Sequence, residues 1–370
     1  MKKVLVAMSG GVDSSVAALL VREAGIEAVG CTMRLYDAEE TEGDGEDGRK
    51  TCCSLEDTED AGAVARRLGI PYHVFNLTSE FREKVMLPFV RAYLSGVTPN
   101  PCIECNRHLK FAKLLERAEI LGCDGIATGH YARIEERDGR MHLLKAKEPE
   151  KDQSYVLYRM DQHALRHTLF PLGGLSKEET RRIAGEHGFR NAHKPDSQDI
   201  CFVPDGDYAR VVEILSGVPS EPGDFVLSDG TRIGRHKGVI HYTVGQRRGL
   251  GIAGPAPYYV IRIDPGRNEV VLGFREELFR REAVLGDVSW IAGEAPAKPC
   301  RCGVRIRYHH PEEEATVYPG ENDTVRVVFD EPQRAVTPGQ AAVFYAGDEV
   351  LGGGVILPPE ERDGKGGDRT

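Results

Sequence analysis

Residues 4–21 read VLVAMSGGVDSSVAALLV, and this stretch decides the fold of the chain. Its first five residues are all apolar, which is typical of a buried parallel strand. A turn through Ser9, Gly10 and Gly11 then leads into a helix with apolar residues at helical spacing, and Gly25 marks the end of that helix. Unpaired N–H groups and the positive end of the helix dipole favour phosphate at such a turn. The stretch therefore predicts an α/β fold with a phosphate site after its first strand.

The glycine turn differs from the two best-known phosphate motifs. It lacks the Gly-Lys-Ser/Thr of a Walker loop, and it lacks the G-x-G-x-x-G of a dinucleotide site. Asp13 stands where a lysine would be expected. A carboxylate tolerates a polyphosphate mainly when Mg²⁺ bridges the two, so we predict that Asp13 binds magnesium. The loop SGGVDSS resembles the pyrophosphatase loop of enzymes that split ATP into AMP and pyrophosphate to activate a carbonyl oxygen.

The composition is that of a globular chain. Charged residues make up 29% and hydrophobic residues 40% of the 370 residues, which is enough for two or three domains. No apolar run approaches the ~20 residues of a membrane helix, and the N-terminus runs into a glycine turn, so we expect a cytoplasmic protein without a signal peptide. Nine cysteines, an odd number, indicate reduced thiols with catalytic or metal roles.

The chain changes character near residue 208. Before it, strand-like and helix-like segments alternate, which predicts a doubly wound parallel sheet of the pyrophosphatase-loop type with ligands at the carboxyl ends of its strands. After it, glycine and proline become more frequent and short alternating strands dominate. We predict a catalytic domain at 1–208, a small central domain, mainly β, at 209–280, a β-barrel at 281–357 and a disordered tail at 358–370.

Three cysteines are candidates for the chemistry. Cys102 and Cys105 form a CxxC pair in the segment TPNPCIECN, and Cys201 lies in KPDSQDICF. A lone CxxC is weak evidence, because it occurs in redox sites, in metal sites and among ordinary thiols. Two prolines fix an extended loop before a helix expected at 106–122. We therefore expect Cys105 near the N-terminus of that helix, where the helix dipole lowers the pKa of a thiol.

Seven motifs follow one another along the chain. They are SGGVDSS at 9–15, TPNPCIECN at 98–106, ATGHYAR at 127–133, KDQSYVLY at 151–158, KPDSQDICF at 194–202, YTVGQRRGLG at 242–251 and VTPGQAAVFY at 336–345. In this order they resemble the bacterial tRNA-specific 2-thiouridylase family, over residues 1 to about 357. The resemblance implies that ATP adenylates the C2 carbonyl oxygen of the wobble uridine in the tRNAs for lysine, glutamate and glutamine. Sulfur then displaces AMP and leaves 2-thiouridine.

The resemblance also implies roles for individual residues. Cys105 is the implied nucleophile, and Cys201 is the implied carrier of a persulfide. A cysteine desulfurase or a sulfur-relay protein is the implied donor of the persulfide sulfur. The implied ATP contacts are Ala7, Met8, Ser9, Gly10, Gly11, Val12, Asp13, Ser14, Met33 and Gly129. The implied tRNA contacts are Asn100, Pro101, Cys102, His130, Lys151, Asp152, Gln153, Arg307, Tyr308 and Gln340.

A second sulfur chemistry stays open. Many relatives have an acid where this chain has Cys102, so a proton-handling role at that position is not carried over. Cys102, Cys105 and Cys201 instead match an arrangement in related thiolases that holds a [4Fe–4S] cluster with one open iron. We favour the persulfide route, in which no step requires Cys102 and in which Cys105 and Cys201 form a disulfide after sulfur transfer.

The charge distribution bears on the nucleic-acid partner. A net charge of −10 weighs against nucleic-acid binding unless basic surface is concentrated locally. Residues 231–263 and 301–310 each contain several arginines and no carboxylate, so we expect them to form such a surface.

Two competing functions remain. A pyrophosphatase-loop ligase for a small molecule would explain SGGVDSS but would give the cysteines and the basic C-terminal half no role. A metal- or RNA-binding module without activity would leave the phosphate loop unexplained.

Overall fold

The computed structural model describes residues 1–37, 41, 55–195, 199–203, 205–320 and 323–359. The pair Cys52-Cys53 and residues 360–370 of the predicted tail lie outside the described residues. None of the helices in the described part of the chain is long and apolar enough to cross a membrane.

A parallel five-stranded sheet organises the first part of the chain. The strands of this part are β1 (Lys3–Ala7), β2 (Glu27–Arg34), β3 (Tyr72–Asn76), β4 (Gly125–Ala127), β5 (Arg133–Arg137), β6 (Arg140–Leu144) and β7 (Thr168–Leu169). The sheet has the order β3-β2-β1-β4-β7, and every neighbouring pair in it is parallel. Strand β1 lies between β2 and β4, so the strand order reverses beside β1 and opens a crevice at its carboxyl end. The predicted doubly wound sheet is confirmed.

Helices cover both faces of this sheet. The α-helical segments are Val12–Glu23, Leu55–Leu68, Thr78–Phe81, Leu87–Leu94, Pro101–Cys105, Leu114–Ile120, Gln162–Arg166 and Lys177–Glu186, with π-helical turns at Arg82–Met86 and Asn106–Lys113. Successive residues of β1 enter different hydrophobic clusters: Val4 and Val6 pack on one face and Leu5 on the other. A strand buried on both faces needs the continuous apolar run that the sequence shows.

The helix that carries the CxxC pair begins earlier than the predicted 106–122. It starts as Pro101–Cys105, continues through the π-helical turn and ends as Leu114–Ile120; we call this whole segment the cysteine helix. Asn100 is its N-cap, and the Asn100 side chain accepts a hydrogen bond from the backbone N–H of Cys102 at 3.1 Å. Proline is favoured in the first turn because it has no N–H to satisfy. The helix therefore contains both cysteines.

A short helix and a small antiparallel-parallel sheet form the central part. They comprise the helix Tyr208–Ser216 and the strands β8 (Gly223–Leu227), β9 (Arg232–His236), β10 (Tyr259–Asp264) and β11 (Glu269–Gly273), in the order β10-β11-β8-β9. The dipeptide Asp229-Gly230 in the sequence predicts a β-hairpin. The prediction is confirmed, since β8 and β9 pair antiparallel across this turn and Gly230 has φ +86°. The helix Tyr208–Ser216 was not predicted.

The last part closes into a barrel. Its strands are β12 (Phe279–Trp290), β13 (Cys300–Arg305), β14 (Glu313–Pro319), β15 (Val325–Arg334), β16 (Ala341–Ala346) and β17 (Glu349–Ile356). The order is β12-β15-β14-β13-β16-β17, and pairing of β12 with β17 closes the barrel, as predicted. The hairpin β5–β6 adds to β17 through the pair Leu144 and Glu349. The first part of the chain thus contributes two strands to the barrel sheet, which the sequence did not predict.

Candidate active site

The loop between β1 and the first helix is held by its own side chains. Gly10 has φ +78°, and a Cβ there would clash with the backbone carbonyl of Asp57, so glycine is required. Ser14 Oγ donates to the Gly11 carbonyl at 3.0 Å and accepts from the Ser9 N–H at 3.1 Å. Gly11 is the helix N-cap and provides no side-chain cap for the amides of the first turn. These amides face the carboxyl end of β1 and suit an anion.

The predicted ATP contacts converge on this loop. A Cβ at Gly129, just after β4, would lie 2.8 Å from the backbone nitrogen of Ser14, so the two backbones approach too closely for any other residue. Met33 lies near the carboxyl end of β2, the strand that pairs with β1 on its other side. The structure therefore brings residues 7–14, Met33 and Gly129 to one edge of the sheet.

Lys177 is a further candidate residue of this site, and the sequence did not predict it. Its Nζ donates to both carboxylate oxygens of Asp13 at 2.8 Å, although 164 positions separate the two residues. Tyr131 adds a hydrogen bond from its hydroxyl to Asp13 Oδ1 at 2.8 Å, and the same hydroxyl contacts Thr180. Lys177 is 8% exposed. It supplies the cation that the loop itself lacks. The available signal was the stretch SKEE at 176–179, which predicts a helix that starts with a capping box at Ser176. That capping box is confirmed, and Lys177 is the first residue of the helix.

The protein groups around Asp13 do not by themselves form a magnesium site. Lys177 engages both oxygens of the Asp13 carboxylate. Among the described residues, no group of three or more His, Cys, Asp or Glu side chains could hold a metal ion. Mg²⁺ prefers six oxygen ligands, so an ion here would take most of them from phosphate and water. Magnesium binding at Asp13 stays a prediction.

The segment that precedes Cys201 is tied to the same loop. Asn191 Nδ2 donates to the Gly10 carbonyl at 2.8 Å and to Ser15 Oγ at 2.9 Å. Lys194 lies 2.6 Å from Asp57 and 2.9 Å from Asp60, on the helix Leu55–Leu68 that contacts Gly10. These contacts hold the start of KPDSQDICF beside the phosphate loop.

Cys105 and Cys201 share one hydrophobic cluster. Cys105 is 9% exposed within this cluster, which also contains Tyr36 and Phe202, and Cys201 packs against it while half-buried. The Tyr36 hydroxyl donates to the backbone carbonyl of Cys201. Cys102, one turn earlier on the cysteine helix, is exposed, and each of the three cysteines is a reduced thiol. The two implied sulfur-transfer residues therefore lie in the same part of the molecule.

The expected low pKa of Cys105 is wrong for this structure. Burial, with a smaller effect of Cys102, raises the pKa of the Cys105 thiol to about 11, and Lys110 opposes this only in part. The reason is the helix start at Pro101: Cys105 lies beyond the first turn and faces the apolar cluster instead of solvent. Desolvation of the thiolate outweighs the helix dipole here.

The placement of the cysteines does not fit an iron–sulfur cluster. A [4Fe–4S] cluster needs its thiolates to converge on one small volume. Cys102 is exposed, whereas Cys105 is buried in the hydrophobic cluster with Tyr36 and Phe202. Within the part of the chain that the structure describes, Cys102, Cys105 and Cys201 are not assembled into a group able to hold a metal.

The loop before the cysteine helix docks on the barrel. The backbone N–H of Thr98 donates to the Pro338 carbonyl at 2.9 Å, and Gln340 Nε2 donates to the Thr98 carbonyl at 2.8 Å. A Cβ at Gly339, which has φ +89°, would lie 2.8 Å from the Thr98 nitrogen. Tyr308 lies nearby, with its ring 5.9 Å from that of Tyr155. TPNPC and VTPGQ, far apart in sequence, thus form one interface.

Comparison with known proteins gives the family. Family models match residues 2–205 as a tRNA methyl transferase HUP domain, 214–274 as a tRNA methyl transferase PRC-barrel domain and 280–356 as an aminomethyltransferase beta-barrel domain. The chain is 50% identical over 358 residues to the tRNA-specific 2-thiouridylase MnmA of Symbiobacterium thermophilum, covering 96% of this chain and 92% of that protein. It is 47% identical over 360 residues to MnmA of Clostridioides difficile, covering 96% and 98%. The chain belongs to the tRNA-specific 2-thiouridylase family.

Among solved structures, a 4-thiouridine synthetase–RNA complex with bound ATP is similar at a TM-score of 0.36 and 18% identity, over 58% of this chain and 52% of that one.

Two of the residues implied to contact tRNA are buried in this thiouridylase and form hydrogen bonds within the protein. Asp152 is buried and accepts from the Ala146 N–H at 3.0 Å and from Arg305 at 3.1 Å. His130 is buried and shares a hydrogen bond with Thr128 Oγ1 at 2.7 Å. Burial, and then Lys110, lower the pKa of His130 well below its ordinary value, so its imidazole is neutral. Among the implied tRNA contacts, Asn100, Lys151, Gln153, Arg307, Tyr308 and Gln340 are half-buried.

Carboxylates lie beside some of the arginines in the basic segments of this thiouridylase and offset their charge. Arg232 lies 3.0 Å from Asp224 on the neighbouring strand, and Arg262 lies 3.2 Å from Asp264. Residues 247–248, both arginines, are exposed, and no carboxylate of the described residues lies within 4.0 Å of either. The expectation of an acid-free surface over residues 231–263 is therefore correct only for part of that segment.

Proposed function

We propose that this thiouridylase converts the wobble uridine of the tRNAs for lysine, glutamate and glutamine to 2-thiouridine, with ATP as the activating substrate. The observation that carries the proposal is a juxtaposition at one edge of the sheet. The phosphate loop follows β1, and the cluster that contains Cys105 begins with Leu35 and Leu77, directly after β2 and β3. Phosphate chemistry and thiol chemistry therefore meet beyond the carboxyl ends of neighbouring strands.

The loop supports the activation step. A carbonyl oxygen of uracil is a poor leaving group, and transfer of AMP to it makes it a good one. The uncapped amides of the first helix turn suit the phosphates of ATP, and Lys177 places a cation beside them. We propose that Asp13 holds Lys177 in position for the pyrophosphate that leaves, and that any magnesium arrives with the nucleotide.

The cysteines support the transfer step. The terminal sulfur of a persulfide on Cys201 attacks C2 of the adenylated uridine and AMP leaves. The Cys105 thiolate then attacks Sγ of Cys201; the bond from this Sγ to the transferred sulfur breaks, a Cys105–Cys201 disulfide forms and 2-thiouridine is released. An external thiol reductant restores both cysteines. The shared apolar cluster supports this pairing, because both residues pack on it.

The structure holds Cys105 in a protected position. Its thiol is buried with a raised pKa, so it is a poor nucleophile at neutral pH. We propose that tRNA binding on the surface formed by the TPNPC loop and the barrel exposes this thiol, and that the sulfur comes from a cysteine desulfurase or a relay protein. We propose 1–208, 209–280 and 281–357 as the domains that surround the bound tRNA.

The test is mass analysis of tRNA after incubation with ATP, a persulfide source and the protein. We expect 2-thiouridine only when all components are present, and ATP–pyrophosphate exchange that depends on unmodified tRNA. Exchange without tRNA, stimulated by a small carbonyl compound, would favour the small-molecule ligase instead. No turnover of ATP under any of these conditions would contradict both enzymatic functions.

A further inference from the structure

A buried arginine joins the cysteine helix to the barrel. The Arg159 side chain is 3% exposed. Its Nη2 donates to Asp287 Oδ2 on β12 at 2.6 Å, and its Nε lies 3.7 Å from Glu104 Oε1 on the cysteine helix. A buried guanidinium is stable only when it is paired, so the two carboxylates are what permit Arg159 to lie between the two parts of the molecule.

On the cysteine helix, the partner of Arg159 is Glu104, which lies between the two cysteines in sequence. Glu104 follows Cys102 by two positions and precedes Cys105, and it is half-buried. Its second oxygen, Oε2, lies 3.2 Å from His108 Nε2, one turn further along the same helix. The contact with Arg159 therefore acts on the turn of the helix that carries both cysteines.

On the barrel, the partner of Arg159 is Asp287, which lies at an irregular position of β12. Asp287 has φ +47°, a conformation that residues other than glycine seldom adopt. The register between β12 and β17 shifts at this point, between Gly286 and Ser289. Arg107 of the cysteine helix adds a second contact, with Nη1 3.6 Å from Asp287 Oδ2. The hydrogen bond from Arg159, and then its charge, hold the pKa of the Asp287 carboxyl below its ordinary value despite partial burial.

We propose that Arg159 is a positioning residue that orients the cysteine helix on the barrel through Glu104 and Asp287. The inference rests on the proposed thiolation. The described contacts of Arg159 reach Tyr158, Glu104 and Asp287, whereas those of Asp13 in the phosphate loop reach Lys177 and Tyr131. Loss of the network should therefore slow sulfur transfer more than it slows adenylation.

The experiment compares Asp287→Asn, Glu104→Gln and the double variant with wild type. The control is Asp330→Asn, which also removes a barrel carboxylate paired with an arginine, here the exposed Arg301. We expect Asp287→Asn to slow single-turnover 2-thiouridine formation about tenfold, and tRNA-dependent ATP–pyrophosphate exchange less than about twofold. Each single variant leaves the buried Arg159 one carboxylate partner and the double variant leaves it none, so we expect the double variant to lose more activity than the two single losses combined.

Amide hydrogen exchange gives a readout that does not depend on activity. We expect faster amide hydrogen exchange at residues 102–105 of Asp287→Asn and of Glu104→Gln, and wild-type hydrogen exchange there in Asp330→Asn. Wild-type rates of amide hydrogen exchange in both test variants would overturn the inference. An equal loss of adenylation and of thiolation would also overturn it. If wild type formed no 2-thiouridine, the proposed function would fail, while the exchange data would still decide whether this network holds the helix.

Discussion

Lys177 donates hydrogen bonds to both carboxylate oxygens of Asp13, each at 2.8 Å. The phosphate loop SGGVDSS contains no basic residue, so its sequence predicted that magnesium would neutralise Asp13. The structure instead provides a cation from the N-terminus of the helix Lys177–Glu186. This pairing adds a second role that we propose for Asp13, to hold Lys177, and magnesium binding at Asp13 stays a prediction.

The first prediction concerns this pair. Lys177→Gln should reduce tRNA-dependent ATP–pyrophosphate exchange at least about 100-fold, because the leaving pyrophosphate loses its cation. Asp13→Ala should abolish AMP formation with the fold intact. Asp13→Ala should be the more damaging change, because it removes the carboxylate and also releases Lys177 from its position. Lys113→Gln, on a surface pair with Glu116, serves as the control. Full exchange activity in Lys177→Gln or in Asp13→Ala would contradict the assignment.

The second prediction concerns tRNA binding. Charge reversal at Arg247 and Arg248 should weaken tRNA binding and leave ATP binding unchanged. The slope of log affinity against log salt should fall by about one for each arginine that no longer neutralises a phosphate. Arg232→Gln is a matched control, because Asp224 already neutralises that arginine. Filter binding of labelled tRNA at several salt concentrations measures the effect. Equal effects of the control and the test variants would show that these two arginines make no special contact.

The third prediction separates the two sulfur chemistries. Cys105→Ser and Cys201→Ser should each abolish 2-thiouridine formation while ATP still binds, and the oxidised product should contain a Cys105–Cys201 disulfide. Cys102→Ser should keep substantial activity. Each protein is assayed aerobically without iron, and again after anaerobic reconstitution with iron and sulfide. Wild-type activity that appears only after reconstitution and disappears in Cys102→Ser would establish the cluster mechanism instead.

The fourth prediction follows from the raised pKa of Cys105. Burial raises this pKa from 9.0 to about 11, so the unfolded thiol loses its proton first as the pH rises. The contribution of Cys105 to the free energy of unfolding is therefore fully present below pH 9 and is lost as the pH rises toward 11, by roughly 2–3 kcal/mol. Urea unfolding of wild type and Cys105→Ser at pH 8 and pH 10.5 measures the difference. A stability difference between the two that is independent of pH would contradict the buried thiol.

Alkylation tests the same thiol without unfolding. At neutral pH the exposed Cys102 should react with iodoacetamide much faster than Cys105. Addition of substrate tRNA should accelerate the reaction of Cys105 if binding exposes it. Equal rates for the two cysteines in the protein without tRNA would show that burial does not protect Cys105.

Local patterns in the sequence determined the parts of this protein that depend on neighbouring residues. The apolar run before SGGVDSS predicted β1, and Ser176 with Glu179 predicted a capping box, because strand burial and helix caps are set within a few positions. The Asp229-Gly230 turn predicted the β8–β9 hairpin for the same reason. The order of the seven motifs predicted the family, and the family comparison confirmed it.

Only the tertiary structure decided what depends on distant segments. Lys177 meets Asp13, Arg232 meets Asp224, and Arg159 lies between Glu104 and Asp287 because packing brings these elements together. The hairpin β5–β6 joins the barrel for the same reason. The pKa of Cys105 followed burial rather than the helix dipole, since desolvation depends on every atom that surrounds a group, and a linear sequence does not contain that surrounding.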